Sequence, residues 1–166
     1  RGSLEMFRVA PVSSSSVILG KYMGYTVFLA LMAGALVALL MLLGTPFLGD
    51  YRVLAGLLLL LIVASLGIGF IISCISNSDS TAVQLSMLVL LISIFFSGFF
   101  LPLENFTPLM QNFTQLIPLT HGIQALQRIM LTGALPRPGN WIMLAVISVV
   151  SYIIVELLFK RILRRL

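Results

Sequence analysis

The 166 residues are 60% hydrophobic and only 9% charged, with a formal charge of +5. Soluble domains carry roughly 25% charged residues and about 45–50% apolar ones, so lipid is the solvent that suits this composition. The basic residues flank apolar runs and have no interleaved aromatics, which excludes a nucleic-acid surface; a single cysteine, Cys74, excludes an internal disulfide.

In chain order, "RGSLEMFRVAPVSSSSVILGKY" comes first. It starts without Met and runs from a charged stretch into an apolar segment too long for the core of a secretory signal. It is therefore expected to be an internal stretch of a larger membrane protein. Four spans follow, at 22–44, 53–75, 82–101 and 141–159. Each supplies the roughly 20 apolar residues that a crossing helix needs. Their breakers are Gly44-Thr45-Pro46, the polar "SNSDST", Pro102, and "PRPGNW". The expected fold is all-α and integral to the membrane.

Arg1, Arg8 and Lys21 precede the first span, and Lys160, Arg161, Arg164 and Arg165 follow the last. Cytoplasmic flanks accumulate Lys and Arg, so both ends read as cytoplasmic, with residues 1–20 as a cytoplasmic segment. Tyr22, Tyr51 and Trp141 stand at span ends, where an aromatic belt belongs.

Residues 103–132 then lie outside. They are too often broken by proline to span and too apolar for an ordinary loop. Thr107 with Pro108, and Thr120 just after Pro118, read as starts of two short helices. Such a pair either dips back into the outer leaflet as a re-entrant hairpin that closes a pathway, or lies flat on the surface. The two "NFT" acceptors, Asn105 and Asn112, matter only in a eukaryotic secretory route.

Ser65, Gly69 and Ser73 form a small-residue stripe on the second span, and Ala30, Gly34 and Ala38 a similar one on the first. Such stripes let helix backbones approach closely. Ser86, Ser93 and Ser97 share a face of the third span and either line a polar path or bond back to their own helix.

No phosphate loop is present: Ser15 stands where the motif needs its first Gly, and Tyr22 follows Lys21. His121 has no His or Cys at ligand spacing, which points to a structural, hydrogen-bonded role and to no metal. Glu156 is the one carboxylate within a span, and Lys160 four residues on makes a local ion pair its expected state. No catalytic constellation appears.

Several stretches resemble the membrane (permease) subunit of ABC-2 type ABC exporters. "RGSLEMFRVAPVS" is similar to that family's cytoplasmic coupling helix and "ILGKYMGY" to the entry of its third span. "SGFFLPLENFTPLMQNFTQLIPLTHGIQALQRIML" is similar to the end of its fifth span and its re-entrant external helices. The matching positions are Ser97, Gly98, Phe99, Pro102, Pro108, Pro118, Leu119, Thr120 and Arg128; where this chain has His121 the family often has Tyr.

The resemblance implies a six-span subunit of which this chain would be the C-terminal portion, after the first two spans. It implies a coupling helix of Leu4, Glu5, Met6, Phe7 and Arg8 docked in an ATP-binding cassette subunit. A short helix with Leu4 and Phe7 on one side and Glu5 and Arg8 free to pair suits such docking. The implied external gate comprises Pro102, Pro108, Pro118, Thr120 and His121. Two membrane subunits, identical or related, would face each other in the plasma membrane. ATP and Mg would belong to the partner, with no cofactor in this chain. The expected function is export of a hydrophobic, lipid-linked or drug-like substrate. The alternatives are a fragment of an ion-gradient-driven secondary transporter, or a lipid-interacting membrane protein without transport activity.

Overall fold

The computed structural model describes residues 14–45 and 47–163, so the expected coupling residues Leu4, Glu5, Met6, Phe7 and Arg8 lie outside the described residues. The long helices are α1 (Ser14–Leu42), α2 (Tyr51–Ile75), α3 (Asp79–Phe96) and α6 (Pro138–Leu163). Between α3 and α6 come a 3₁₀ turn (Leu103–Asn105), α4 (Pro108–Thr114), α5 (Pro118–Gln127) and a π-helical turn (Arg128–Thr132). No strand occurs among the described residues. All four long helices are long and apolar enough to cross a membrane, and the chain is a multi-pass membrane protein.

Local chemistry sets most helix ends. Asp50 caps α2 by accepting from Arg52 N at 2.8 Å, and Ser76 closes it by donating to the Ile72 carbonyl at 2.7 Å. Ser78 caps α3 by accepting from Thr81 N at 3.2 Å, with Asp79 favourably placed at the positive end of the helix dipole. Two ends differ from expectation. Helix α1 is already formed at Ser14, where the described residues begin, well ahead of the apolar run from Tyr22, because hydropathy marks where a helix enters lipid and not where its hydrogen bonding starts. Helix α3 stops at Phe96 rather than Leu101: Gly98 takes φ +85°, a left-handed conformation that ends a helix. Ser97, fully buried there, donates to the Ile94 carbonyl at 2.9 Å.

Helices α2 and α6 form the central pair. One core cluster joins Leu57 and Ala64 of α2, Ala125 of α5, Ile129 of the π turn and Leu144 of α6. A second, toward the end bearing Lys21, Lys160 and Arg161, joins Ile18 and Tyr22 of α1 to Val155 of α6. There the Tyr22 ring lies 4.7 Å from Phe70 and 5.6 Å from Tyr152. Helix α3 has no buried residue, while Met87, Leu88, Leu90, Leu91 and Phe95 are exposed. An apolar helix left uncovered in this way is stable against lipid or another membrane helix.

The expected packing stripe on α2 does not make the close approach within the chain. Ser65, Gly69 and Ser73 are exposed, and nothing lies within 4 Å of where a Gly69 side chain would start. The close approach falls instead on Gly67, where a Cβ would collide with Ser151 of α6. The reason is rotational: Leu57, Ala64 and Gly67 share the face turned to α6, and the Ser65 stripe lies on the neighbouring face. Gly34 of the α1 stripe is likewise uncovered, above an apolar groove between α1 and α2. Glu156 and Lys160 form the expected pair at 2.7 Å.

Candidate functional site

Chemistry-bearing residues gather at the end of the bundle opposite Lys160, around α4, α5 and the π turn. The segment after α3 is held by aromatic and amide contacts. The Phe96 ring lies 5.7 Å from Phe106 and 6.0 Å from Phe113, and Gln111 Nε2 donates to the Leu103 and Phe106 carbonyls at 3.2 and 3.0 Å. Thr107 occupies the N-cap of α4 with Pro108 at its first turn, although the threonine side chain makes no capping bond. Pro102 and Pro108 are exposed, as are Leu109 and Phe113 of α4 and Leu116 just after it.

Helix α5 starts at Pro118 with Ile117 as its cap, so Thr120 is inside the helix and is not the cap expected from sequence. Proline's preset φ and missing N–H suit the first helical position, and the start therefore falls on Pro118 itself. From there the chain climbs along α2. Pro118 and Leu119 lie beside Ser65, Ile68 and Gly69. A Cβ on Gly122 would come within 2.6 Å of the Leu61 side chain. Ile129 then crowds Gly49, and Gly133, at φ +65°, passes the Leu48 carbonyl. Leu61 is about 15 Å along α2 from Tyr51 at 1.5 Å per residue. Helix α5 thus reaches to the middle of a spanning helix.

This buried stretch carries polar side chains. Thr120 is fully buried and His121 nearly so. His121 Nε2 lies 2.8 Å from the Gln115 carbonyl oxygen, which can only accept, so Nε2 carries a proton. Nδ1 and the Thr120 hydroxyl are buried without a hydrogen-bond partner. Beside them, Ser65 and Gly69 of α2, Ser86 and Ser93 of α3, and Pro118 line a groove of about 220 Å³. Part of the α2 stripe and two α3 serines therefore flank the same shallow groove, while Ser97, the C-cap of α3, bonds back to its helix.

The π turn and what surrounds it were not legible as a site. Thr132 Oγ1 donates to the Arg128 carbonyl at 2.7 Å and accepts from Ala134 N at 3.3 Å, locking the turn. Arg128, a position matching the family resemblance, lines a pocket with Gln124, Gln127, Arg137 and Asn140, which no sequence motif marks. The one usable signal was a pair of arginines near a span end with no acid close in sequence. Among the described residues no group of His, Cys, Asp or Glu could hold a metal ion, and Cys74 is a free, half-buried thiol.

Residues 1–131 match the family described as ABC-2 type transporter. The "Probable multidrug ABC transporter permease YbhS" of Escherichia coli K12 is 28% identical over 139 residues, covering 82% of this chain and 37% of that protein. The "ABC transporter G family member 20" of Dictyostelium discoideum is 27% identical over 133 residues, covering 80% of this chain and 18% of that protein. The match thus spans well under half the length of either relative. No solved structure matches the chain. With the match running from the first residue through α4, α5 and most of the π turn, the chain belongs to the ABC-2 type transporter family.

Proposed function

We propose that this chain forms part of the translocation pathway of an ATP-driven exporter of hydrophobic, lipid-linked or drug-like substrates. The family membership supports the reading, as does the printed multidrug description of a relative. The observation that carries it is the lie of α5, packed at Gly122 against Leu61, halfway along a crossing helix. Irregular backbone at that depth is stable only when packed in protein or beside a wet cavity, which is what a gate requires.

In this reading α4 and α5 are a re-entrant hairpin on the external side, with Pro118 at its bend and Thr120 and His121 facing the pathway. Pro102 and Pro108 set its outer shoulders. Lys21, Lys160 and Arg161 mark the cytoplasmic face, as does the charge of Arg1, Arg8, Arg164 and Arg165. The membrane is the plasma membrane, with both ends of the chain cytoplasmic. A second membrane subunit, identical or related, covers the exposed α3 and the serine-lined groove. Leu4, Glu5, Met6, Phe7 and Arg8 dock on an ATP-binding cassette subunit that holds ATP and Mg and performs hydrolysis. Nucleotide moves the gate only through a difference in affinity between inward- and outward-facing states.

The test uses the full-length protein co-expressed with its ATP-binding partner, with Cys74→Ser as background. A cysteine at Phe7 should crosslink to the ATP-binding subunit, and Phe7→Ala should weaken coupling of ATPase activity to transport. A cysteine at His121 should react with a membrane-impermeant thiol reagent from outside at a rate that changes with ATP. Absence of any ATP-binding partner would sink the proposal in favour of a gradient-driven transporter.

A further inference from the structure

Where the π turn meets the start of α6, Gln124, Gln127, Arg128, Leu131, Thr132, Arg137 and Asn140 line an open pocket of about 310 Å³. Three features set it apart from the apolar grooves elsewhere. Neither Arg128 nor Arg137 has an ion-pair or hydrogen-bond partner for its guanidinium among the described residues. No carboxylate lines the pocket. Among the described residues the acids at this end are Asp50, which caps α2, and Glu104, in the 3₁₀ turn. Third, Asn140 is only 5% exposed, and its Nδ2 has no hydrogen-bond partner. A buried amide donor without a partner costs free energy, which a ligand acceptor reaching that atom would offset.

We infer that this pocket binds the phosphate of a phosphodiester or phosphomonoester ligand, such as an anionic lipid headgroup or a phosphate-bearing solute. Each guanidinium presents five N–H donors in a planar fork that matches phosphate geometry. Gln124, Gln127 and Asn140 add amide donors, and the positive dipole end of α6 lies at the same place. This donor set exceeds what a two-oxygen carboxylate would use. The volume falls at the low end of the roughly 300–1,000 Å³ of small-molecule pockets, enough for a headgroup rather than a bare ion. Leu131, exposed at the rim, offers an apolar edge to an attached chain. The Thr132–Arg128 bond holds the π turn that aims Arg128 inward, and such turns occur often at functional sites. The inference does not depend on which substrate is exported.

The test is titration calorimetry on the full-length protein in an uncharged detergent, with inorganic phosphate and, separately, monomeric dihexanoylphosphatidylglycerol. Saturable binding is expected, weakened about tenfold or more by Arg128→Gln or Arg137→Gln, the loss of one charge-assisted contact. Arg52→Gln, outside the pocket, should bind as the parent does. If either glutamine variant fails to fold, Arg128→Lys and Arg137→Lys keep the charge but lose the fork, and are expected to bind several-fold more weakly. Binding of both probes would make the anionic group sufficient and identify a site for phosphate-bearing solutes. Binding of the lipid alone would identify a headgroup site for a leaflet lipid. No saturable binding of either probe overturns the inference, as would pocket variants that match the parent or an equal loss on Arg52→Gln.

Discussion

Gly67 of α2 and Ser151 of α6 face each other so closely that a Cβ on Gly67 would lie 2.5 Å from Ser151 Cβ and closer still to its hydroxyl oxygen. Ser151 is held in place, donating to the Ser148 carbonyl at 3.0 Å, while Ser148 donates to the Leu144 carbonyl at 2.8 Å. The contact lies between the two core clusters and brings the central helices to backbone distance. In lipid, where no hydrophobic force draws helices together, close van der Waals packing of this kind is a main source of association energy.

Gly67→Ala is accordingly expected to destabilise by about 1–3 kcal/mol, the usual cost of overpacking a filled core. Thermal unfolding in detergent would read this as a lowered midpoint. Ser151→Gly in the same background removes the colliding atoms and should restore most of the loss. Ser65→Ala, on the exposed stripe, should leave the midpoint of the isolated subunit unchanged.

Gly122 against Leu61 is a softer contact, because the atoms met are the ends of a flexible side chain. Gly122→Ala should cost no more than about 1 kcal/mol once Leu61 shifts, whereas Gly122→Phe should displace α5 and reduce transport with the fold retained. Leu61→Ala should rescue the phenylalanine variant in part. A double-mutant cycle on transport rate checks this, and strict additivity would mean that the two residues do not meet in the working protein.

Thr120→Val replaces a buried hydroxyl that has no partner with a methyl group of nearly the same shape. Removing an unsatisfied buried polar group should be neutral or stabilising by about 1–2 kcal/mol. A valine variant with a higher unfolding midpoint and slower transport would show that the hydroxyl is kept for the pathway. A lower midpoint would mean that the hydroxyl has a partner in the assembled transporter.

Lys160→Ala should matter little to stability. The lysine is half exposed, and an i, i+4 pair with Glu156 contributes about 0.3–0.5 kcal/mol at such a site. The unfolding midpoint should move by no more than the scatter of the measurement, while loss of a cytoplasmic charge should show, if anywhere, in the fraction of chains inserted with the intended topology.

Properties that depend on neighbours in the chain could be read directly from the residues. The four spans follow from apolar run length, because a helix satisfies its own backbone in lipid and needs nothing else to cross. The Glu156–Lys160 pair and the helix start at Pro108 are separated from their causes by four residues or fewer. The existence of two short helices around Pro118 was legible for the same reason, though Thr120 was misplaced because proline outranks a capping threonine for the start.

Contacts between distant stretches could not be read in this way. The face of α2 that meets α6 is one of several faces with small residues, and in an apolar helix no polar stripe announces which is buried; Gly67 wins over Gly69 because Ser151 arrives there, with the Tyr22 hydroxyl beside it. The depth of α5 depends on Gly122 meeting Leu61, a pairing between segments far apart in sequence. The pocket of Arg128, Arg137 and Asn140 brings together the start of the π turn, the linker after it and the first turn of α6. Local propensity and hydropathy act over a turn or two of helix, whereas rotation and depth are decided by which side chains interlock once the helices pack.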